Sequence, residues 1–169
     1  SYTSEFLGIG CELDSNWTFL TEEQMSEVYA ITIDLIDDEE ISKLAEDESV
    51  IYDMYAVSND GLVSISITFE NLGVLYGIIL DEESYIDISI EKSKKALESA
   101  GFSSIEMEKK TIEFAGAERN GIGVKGEYEG QPMYEELICI KKGSYMASIT
   151  IACHQENILN EIRKLFYSI

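Results

Sequence analysis

The sequence predicts an α+β fold: a mainly antiparallel β-sheet flanked by α-helices, in a single domain over residues 1–169. Three observations lead there. From Phe102 to Cys153, β-rich runs follow one another through very short turns, the connection antiparallel neighbours use. Val63, Ile65, Ile67 and Phe69 alternate with Ser64, Ser66, Thr68 and Glu70, the period-two signature of a half-buried strand. Helical stripes stand outside the β-runs without forming βαβ crossovers.

Taken in order, Thr3–Leu13 reads as a strand or hairpin pair broken at Gly8-Ile9-Gly10, and Asp14-Ser15-Asn16 is turn chemistry. Trp17–Leu20 is a short strand, with Trp17 expected as a core anchor. Thr21-Glu22-Glu23-Gln24 has capping-box spacing: Thr21 caps the third helical amide and Gln24 reaches back. Met25, Val28, Tyr29, Leu35 and Ile36 continue one helical face, although Ala30–Ile33 fits an extended run equally well. Asp37-Asp38-Glu39-Glu40 opens a second short helix with Ile41, Leu44 and Ala45, its acids placed where a helix dipole favours them. Val50–Val57 and Leu62–Leu72 are strands joined by the hairpin signal Ser58-Asn59-Asp60-Gly61.

Asp81–Ala100 is the clearest helix, with Asp81 as N-cap, a stripe of Ile86, Ile90, Leu97 and Ala100, and Gly101 as its stop. Four meander strands follow, near Ser104–Phe114, Ala117–Tyr128, Met133–Lys141 and Ser144–Cys153. Their turns are Ala115-Gly116, Glu129-Gly130-Gln131-Pro132 and Lys142-Gly143, the last predicting that Cys139 faces about Met146. Gln155–Tyr167 closes the chain as a helix striped by Ile158, Leu159, Ile162, Leu165 and Phe166. This helix and Asp81–Ala100 are expected on the same layer of the sheet.

Composition narrows the function. Thirty-three acidic against 12 basic residues give a net charge of −21, which excludes a nucleic-acid partner needing a basic footprint. Residues 1–90 carry nearly all of it, with Lys43 their one base, while residues 91–169 are almost balanced. Such a block either keeps the protein soluble or meets a basic partner or cations. No apolar run is long enough to span a membrane. Cys11, Cys139 and Cys153 are too few and scattered for a disulfide framework and read as buried free thiols. Leu7-Gly8-Ile9-Gly10-Cys11 has a trace of a lipoprotein cleavage site but lacks the basic and apolar regions of a signal, so Phe6–Leu13 reads as a strand. Because the chain begins at Ser1, an upstream segment is expected to have been removed.

Few residues suggest chemistry. Gly121-Ile122-Gly123-Val124-Lys125-Gly126 has the spacing of a dinucleotide loop, but it sits inside a predicted strand instead of between a strand and a helix. Cys153 and His154, the lone histidine, are strand neighbours and point apart, against a nucleophile pair. Glu127 and Glu129 share a strand face, and either can pair across the turn with Glu135, a carboxylate arrangement of the kind glycosidic chemistry uses; Glu136 faces away from Glu135. Tyr52, Tyr55, Tyr76 and Tyr85 line a groove or simply pack. The candidate binding residues are Asp34, Asp37, Asp38, Glu39 and Glu40, an acidic cluster able to attract Ca²⁺ but lacking the glycine-turned loop of an EF-hand.

Ser15-Asn16-Trp17, the run Thr111–Ala117, the Tyr134–Ile140 and Tyr145–Ile151 strands and the closing Ile158–Ile169 helix together resemble the PsbP/Mog-type fold. The likeness spans most of the chain and rests on no catalytic motif; Trp17 lacks the proline that often precedes it in the group. That group includes photosystem extrinsic proteins, a nuclear GTPase-release factor and bacterial lipoprotein domains. The resemblance implies a non-enzymatic binding domain without a cofactor. It implies a place outside the cytoplasm, secreted or tethered, and the acidic first half matches exported proteins of Gram-positive bacteria. The partner expected is a protein or cell-envelope component of basic character. The alternatives are a small hydrolase using the carboxylates or Cys153 and His154, and a Ca²⁺-linked module using the acidic cluster.

Overall fold

The computed structural model describes residues 1–34 and 50–169. The fold is α+β with antiparallel pairing throughout its two sheets. Strands β1 (Tyr2–Ser4) and β2 (Ile9–Cys11) form the predicted opening hairpin. Strand β3 (Trp17–Phe19) follows the Asp14 turn, where Asn16 N donates to Asp14 Oδ1 over 2.9 Å. Helix α1 (Glu22–Asp34) starts on the expected capping box: Gln24 N donates to Thr21 Oγ1 and Thr21 N to Gln24 Oε1. The predicted second short helix from Asp37 lies outside the described residues.

Strands β4 (Val50–Ser58) and β5 (Ser64–Asn71) form the Asn-Asp-Gly hairpin, with Gly61 at φ +73. Residues 73–79, which carry no strand or helix signal of their own, form helix α2 (Gly73–Ile79). Gly73 takes φ +72 and donates its amide to Asn71 Oδ1, while Leu72 before it and Leu80 after it are anchored in the core. Helix α3 (Glu82–Ser99) is capped by Asp81, whose carboxylate accepts the Ser84 amide over 2.8 Å.

The meander is β6 (Phe102–Phe114), β7 (Ala117–Tyr128), β8 (Gln131–Lys142) and β9 (Tyr145–Cys153). Two of its turns place both central residues at positive φ, Ala115-Gly116 and Glu129-Gly130, the backbone that matches strand twist. The third turn is Gly143-Ser144, one residue later than predicted, so Cys139 opposes Ser148 and not Met146.

Among the described residues, seven strands make the main sheet in the order β3-β4-β5-β9-β8-β7-β6. Strand alternation gives it two apolar faces. On one, Ile138 and Ile140 of β8 join Ile149 and Ile151 of β9 and Ile112 and Phe114 of β6. On the other, Cys139 joins Ile122, Val124 and Met146. Helix α3 seats Ile86 in the second core. Helix α4 (Glu156–Arg163) seats Leu159 and Ile162 in the first. The two helices therefore cover opposite faces, not one layer, because the residues they touch alternate along β8.

The closing helix is also shorter than the sequence pattern suggests. It stops at Arg163, and the tail becomes β10 (Phe166–Ser168), which pairs with β2 in a three-stranded sheet ordered β1-β2-β10. Phe166 drops onto Phe114 with ring centroids 4.6 Å apart, and Tyr167 lies across Gly10, where any Cβ would meet its ring at 2.5 Å. The apolar residues read as a helical stripe thus serve a strand pairing that only the tertiary fold supplies. Trp17 packs against the first core at its margin and is partly buried there.

Candidate functional site

Helix α2 presents an unusual surface. It is seven residues long and buries none of them. Val74 is 84% and Ile78 80% exposed, and Leu75, Tyr76 and Ile79 are exposed beside them. Its position is nevertheless fixed. Gly77 lies so close to Ser144 in the β8–β9 turn that a Cβ there would meet the serine at 2.9 Å, and the Leu72 amide donates to the Ser144 carbonyl over 2.8 Å. At the same sheet end, exposed Phe6 stacks edge-on against Phe69 and Tyr145. Exposed apolar side chains of this kind, held in place by the fold, have no intramolecular partner to cover them among the described residues.

A second feature lies on the α4 face. Gly123 of β7 floors a groove of about 180 Å³ lined by Glu108, Lys110, Lys125, Tyr134, Glu156 and Leu159. Glu136, 2% exposed, stands under it. Lys110 Nζ donates to its Oε1 over 3.1 Å, and Arg163 Nε sits 3.3 Å from its Oε2 at ion-pair distance without hydrogen-bond alignment. Both cations fold back onto this one carboxylate, which makes the cluster a structural clamp between β6, β8 and α4. Lys125 and Glu156 pair at 3.0 Å across the rim, more than half exposed.

The third feature is Glu135. It faces the α3 side, partly exposed, at a cavity of about 210 Å³ between α3 and the sheet. Burial pushes its carboxyl up to about 7.

The residues singled out by sequence are not brought together. The β7–β8 register places Glu127 opposite Pro132 and Glu135 opposite Val124, while Glu129 sits in the turn, so the expected carboxylate group does not form. The cause is the tight two-residue turn, which shifts the register from the longer one assumed. Cys153 is buried and donates its thiol to the Gln155 carbonyl, whereas exposed His154 uses Nδ1 toward the Pro132 carbonyl over 2.9 Å. Burial pushes the Cys11 and Cys139 thiols up to about 12 and raises Cys153 as well, opposite to the shift a nucleophile needs. The glycine run 121–126 is mid-strand, paired on both sides, with no helix N-terminus after it. Tyr52 and Tyr55 form a ring pair 6.2 Å apart, Tyr85 donates to Glu70 over 2.5 Å, and Tyr76 lies on α2, so the four tyrosines line no common groove. Asp34 ends α1, and Asp37, Asp38, Glu39 and Glu40 lie outside the described residues. Among the described residues no group of three acidic, histidine or cysteine side chains is placed to hold a metal ion.

Sequence reasoning missed α2 because the apolar residues Val74, Leu75, Tyr76, Ile78 and Ile79, broken by Gly77, match neither a helical stripe nor a strand alternation, and only the fold shows them outside. No family model and no curated protein matches the chain. Its likeness is to solved structures. Cyanobacterial PsbP from Synechocystis superposes over 99% of this chain and 91% of its own at TM-score 0.60 and 7% identity. A Bacteroides thetaiotaomicron protein covers 99% of this chain and 47% of its own at TM-score 0.49 and 8% identity. LpqN of Mycobacterium tuberculosis, involved in cell envelope biogenesis, covers 94% and 82% at TM-score 0.45 and 8% identity. The chain has a PsbP-like fold. Among the described residues no helix is long and apolar enough to cross a membrane.

Proposed function

We propose that this chain is a non-enzymatic, extracytoplasmic interaction module that meets its partner through helix α2. The observation that carries the reading is the exposure of Val74, Leu75, Tyr76, Ile78 and Ile79 on one short, firmly anchored helix. Burying such side chains yields roughly 25 cal/mol per Å², enough for a specific contact when the helix is already ordered. The PsbP-like fold and the resemblance to extrinsic and lipoprotein domains support the non-enzymatic and extracytoplasmic parts. Acidic residues follow the helix directly at Asp81, Glu82 and Glu83, so an apolar patch rimmed by basic side chains complements it.

The test is cross-linking in the native host. The wild-type chain is expected to capture one recurring partner in an extracytoplasmic fraction, and Val74→Glu/Ile78→Glu to lose it while keeping its melting temperature. Capture unaffected by the double substitution, or a chain confined to the cytoplasm, overturns the reading.

A further inference from the structure

The cavity beneath α3 is separate from the α2 surface and has its own chemistry. Leu97 of α3, Met107 of β6, Ile122 of β7 and Leu137 of β8 form apolar walls, and two polar groups enter from opposite sides, Ser93 from the helix and Glu135 from the sheet. Glu135 has no hydrogen-bond or ion-pair partner among the described residues. Its neighbour Glu136, by contrast, is held by two cations.

Glu135 keeps part of its surface in solvent, but the apolar walls beside it offer its carboxylate no donor, so its charge is only partly compensated there. The space, about 210 Å³ and open to solvent on one side, has room for one small ring or a short alkyl chain. The low dielectric of such walls strengthens a charge-assisted bond to an ammonium group, and the net charge of −21 draws cations toward the molecule. Ser93 supplies a further oxygen able to accept from the same group.

We propose that this cleft binds a small, mostly apolar primary amine, with the Glu135 carboxylate as counter-ion to its ammonium and the apolar residues of α3 and the sheet flanking its hydrocarbon part. The class is one aromatic ring or a short alkyl chain ending in an ammonium group. Carboxylic acids are excluded by repulsion from Glu135, and neutral isosteres forgo the charge-assisted bond.

Benzylamine and n-pentylamine serve as probes, titrated at pH 8 into the full chain with methyl signals of Leu97, Ile122, Val124 and Leu137 as readout. Benzyl alcohol is the neutral control and benzoate the anionic one. Saturable shifts confined to these methyls are expected with at least one amine. Binding should fall by roughly tenfold or more for benzyl alcohol and in Glu135→Gln, as for loss of a charged hydrogen bond. Ala96→Leu, which fills the cavity from the helix side, should abolish it in a folded chain. Equal binding of benzyl alcohol, unchanged affinity in Glu135→Gln, or no saturable shift with either amine overturns the proposal.

Discussion

Glu135 and Glu136 are neighbours in sequence and opposites in environment. Glu136 faces α4, almost fully buried, and holds Lys110 and Arg163. Glu135 faces α3 beside apolar walls and holds nothing among the described residues. Strand geometry sends the two side chains to opposite faces, so one dipeptide samples both cores. The difference teaches that burial alone does not give a charged residue its role. With cations converging on it, a buried carboxylate locks elements together; without them it is a standing cost that a ligand or a proton can relieve.

The largest effect that would break this comparison is expected on the α4 face. Glu136→Ala leaves Lys110 and Arg163 facing one another beside the core, and loss of one partner of a buried pair costs about 3–5 kcal/mol. Chemical denaturation measures it. Replacing the clamp together, Glu136→Leu/Arg163→Leu, should recover part of the loss, since apolar substitution of a buried pair is far less costly than its rupture. A loss under about 1 kcal/mol in the single variant would reduce the clamp to a surface pair.

The next effect has the opposite sign and depends on pH. Burial raises the Glu135 carboxyl from 4.5 to about 7. Below about 4.5 it is protonated in both folded and unfolded chains, and the shift has no effect on stability. Between 4.5 and about 7 the unfolded chain ionises first, so stability falls as pH rises, and above that the full penalty stands. Glu135→Gln should therefore stabilise the protein at pH 8 by on the order of 2–3 kcal/mol and leave it unchanged at pH 4. Melting both proteins at the two pH values checks this; an equal shift at both would trace the effect to packing, not charge.

Much of the fold is legible in the sequence because its signals are local. The Thr21-Gln24 capping box, the Asp81 cap, the Asn59-Asp60-Gly61 hairpin and the alternation of β5 all hold as read. What escapes is decided by distant partners. Phe166 and Tyr167 fit a helical stripe until β2 offers them a strand edge and Gly10 a seat for the tyrosine ring. The register at the Glu129-Gly130 turn, which parts Glu127 from Glu135, depends on turn length: two residues in the fold against the four read from Glu129-Gly130-Gln131-Pro132. The α2 surface is legible only as apolar sequence; its exposure follows from where Leu72 and Leu80 are anchored. Of the acidic cluster, only the backbone of Asp34 falls within the described residues.

The glycines of β7 offer a finer test of the α4 face. A Cβ on Gly121 would meet the Leu137 carbonyl at 2.6 Å and Ile112 Cδ1 at 2.5 Å, and the carbonyl belongs to a paired strand that cannot yield. Gly121→Ala should cost about 1–3 kcal/mol, as overpacking does. At Gly123 the nearest atom is Lys110 Cε at 3.2 Å, the end of a flexible side chain, so Gly123→Ala should cost less and act through the Lys110–Glu136 contact. Equal costs would mean the groove floor is set by backbone propensity and not by the clamp above it.

The smallest effect is kinetic and compares the two faces directly. Cys139 lies in the α3 core and Cys153 in the α4 core, both buried. Burial raises both thiols, so neither reacts appreciably until local opening exposes it. Cys153 is at the end of β9, three residues before the eight-residue α4, whereas Cys139 lies mid-strand beneath the 18-residue α3. Opening at the short helix disrupts less packed surface, so Cys153 should be alkylated ahead of Cys139 in the native protein at pH 8. Mass spectrometry of peptides from a time course reads the order. Glu136→Ala, by loosening α4 at Arg163, should speed Cys153 and leave Cys139 unchanged. If both thiols accelerate together, the two faces open as one unit, and the independence of the two cores at Glu135 and Glu136 is lost.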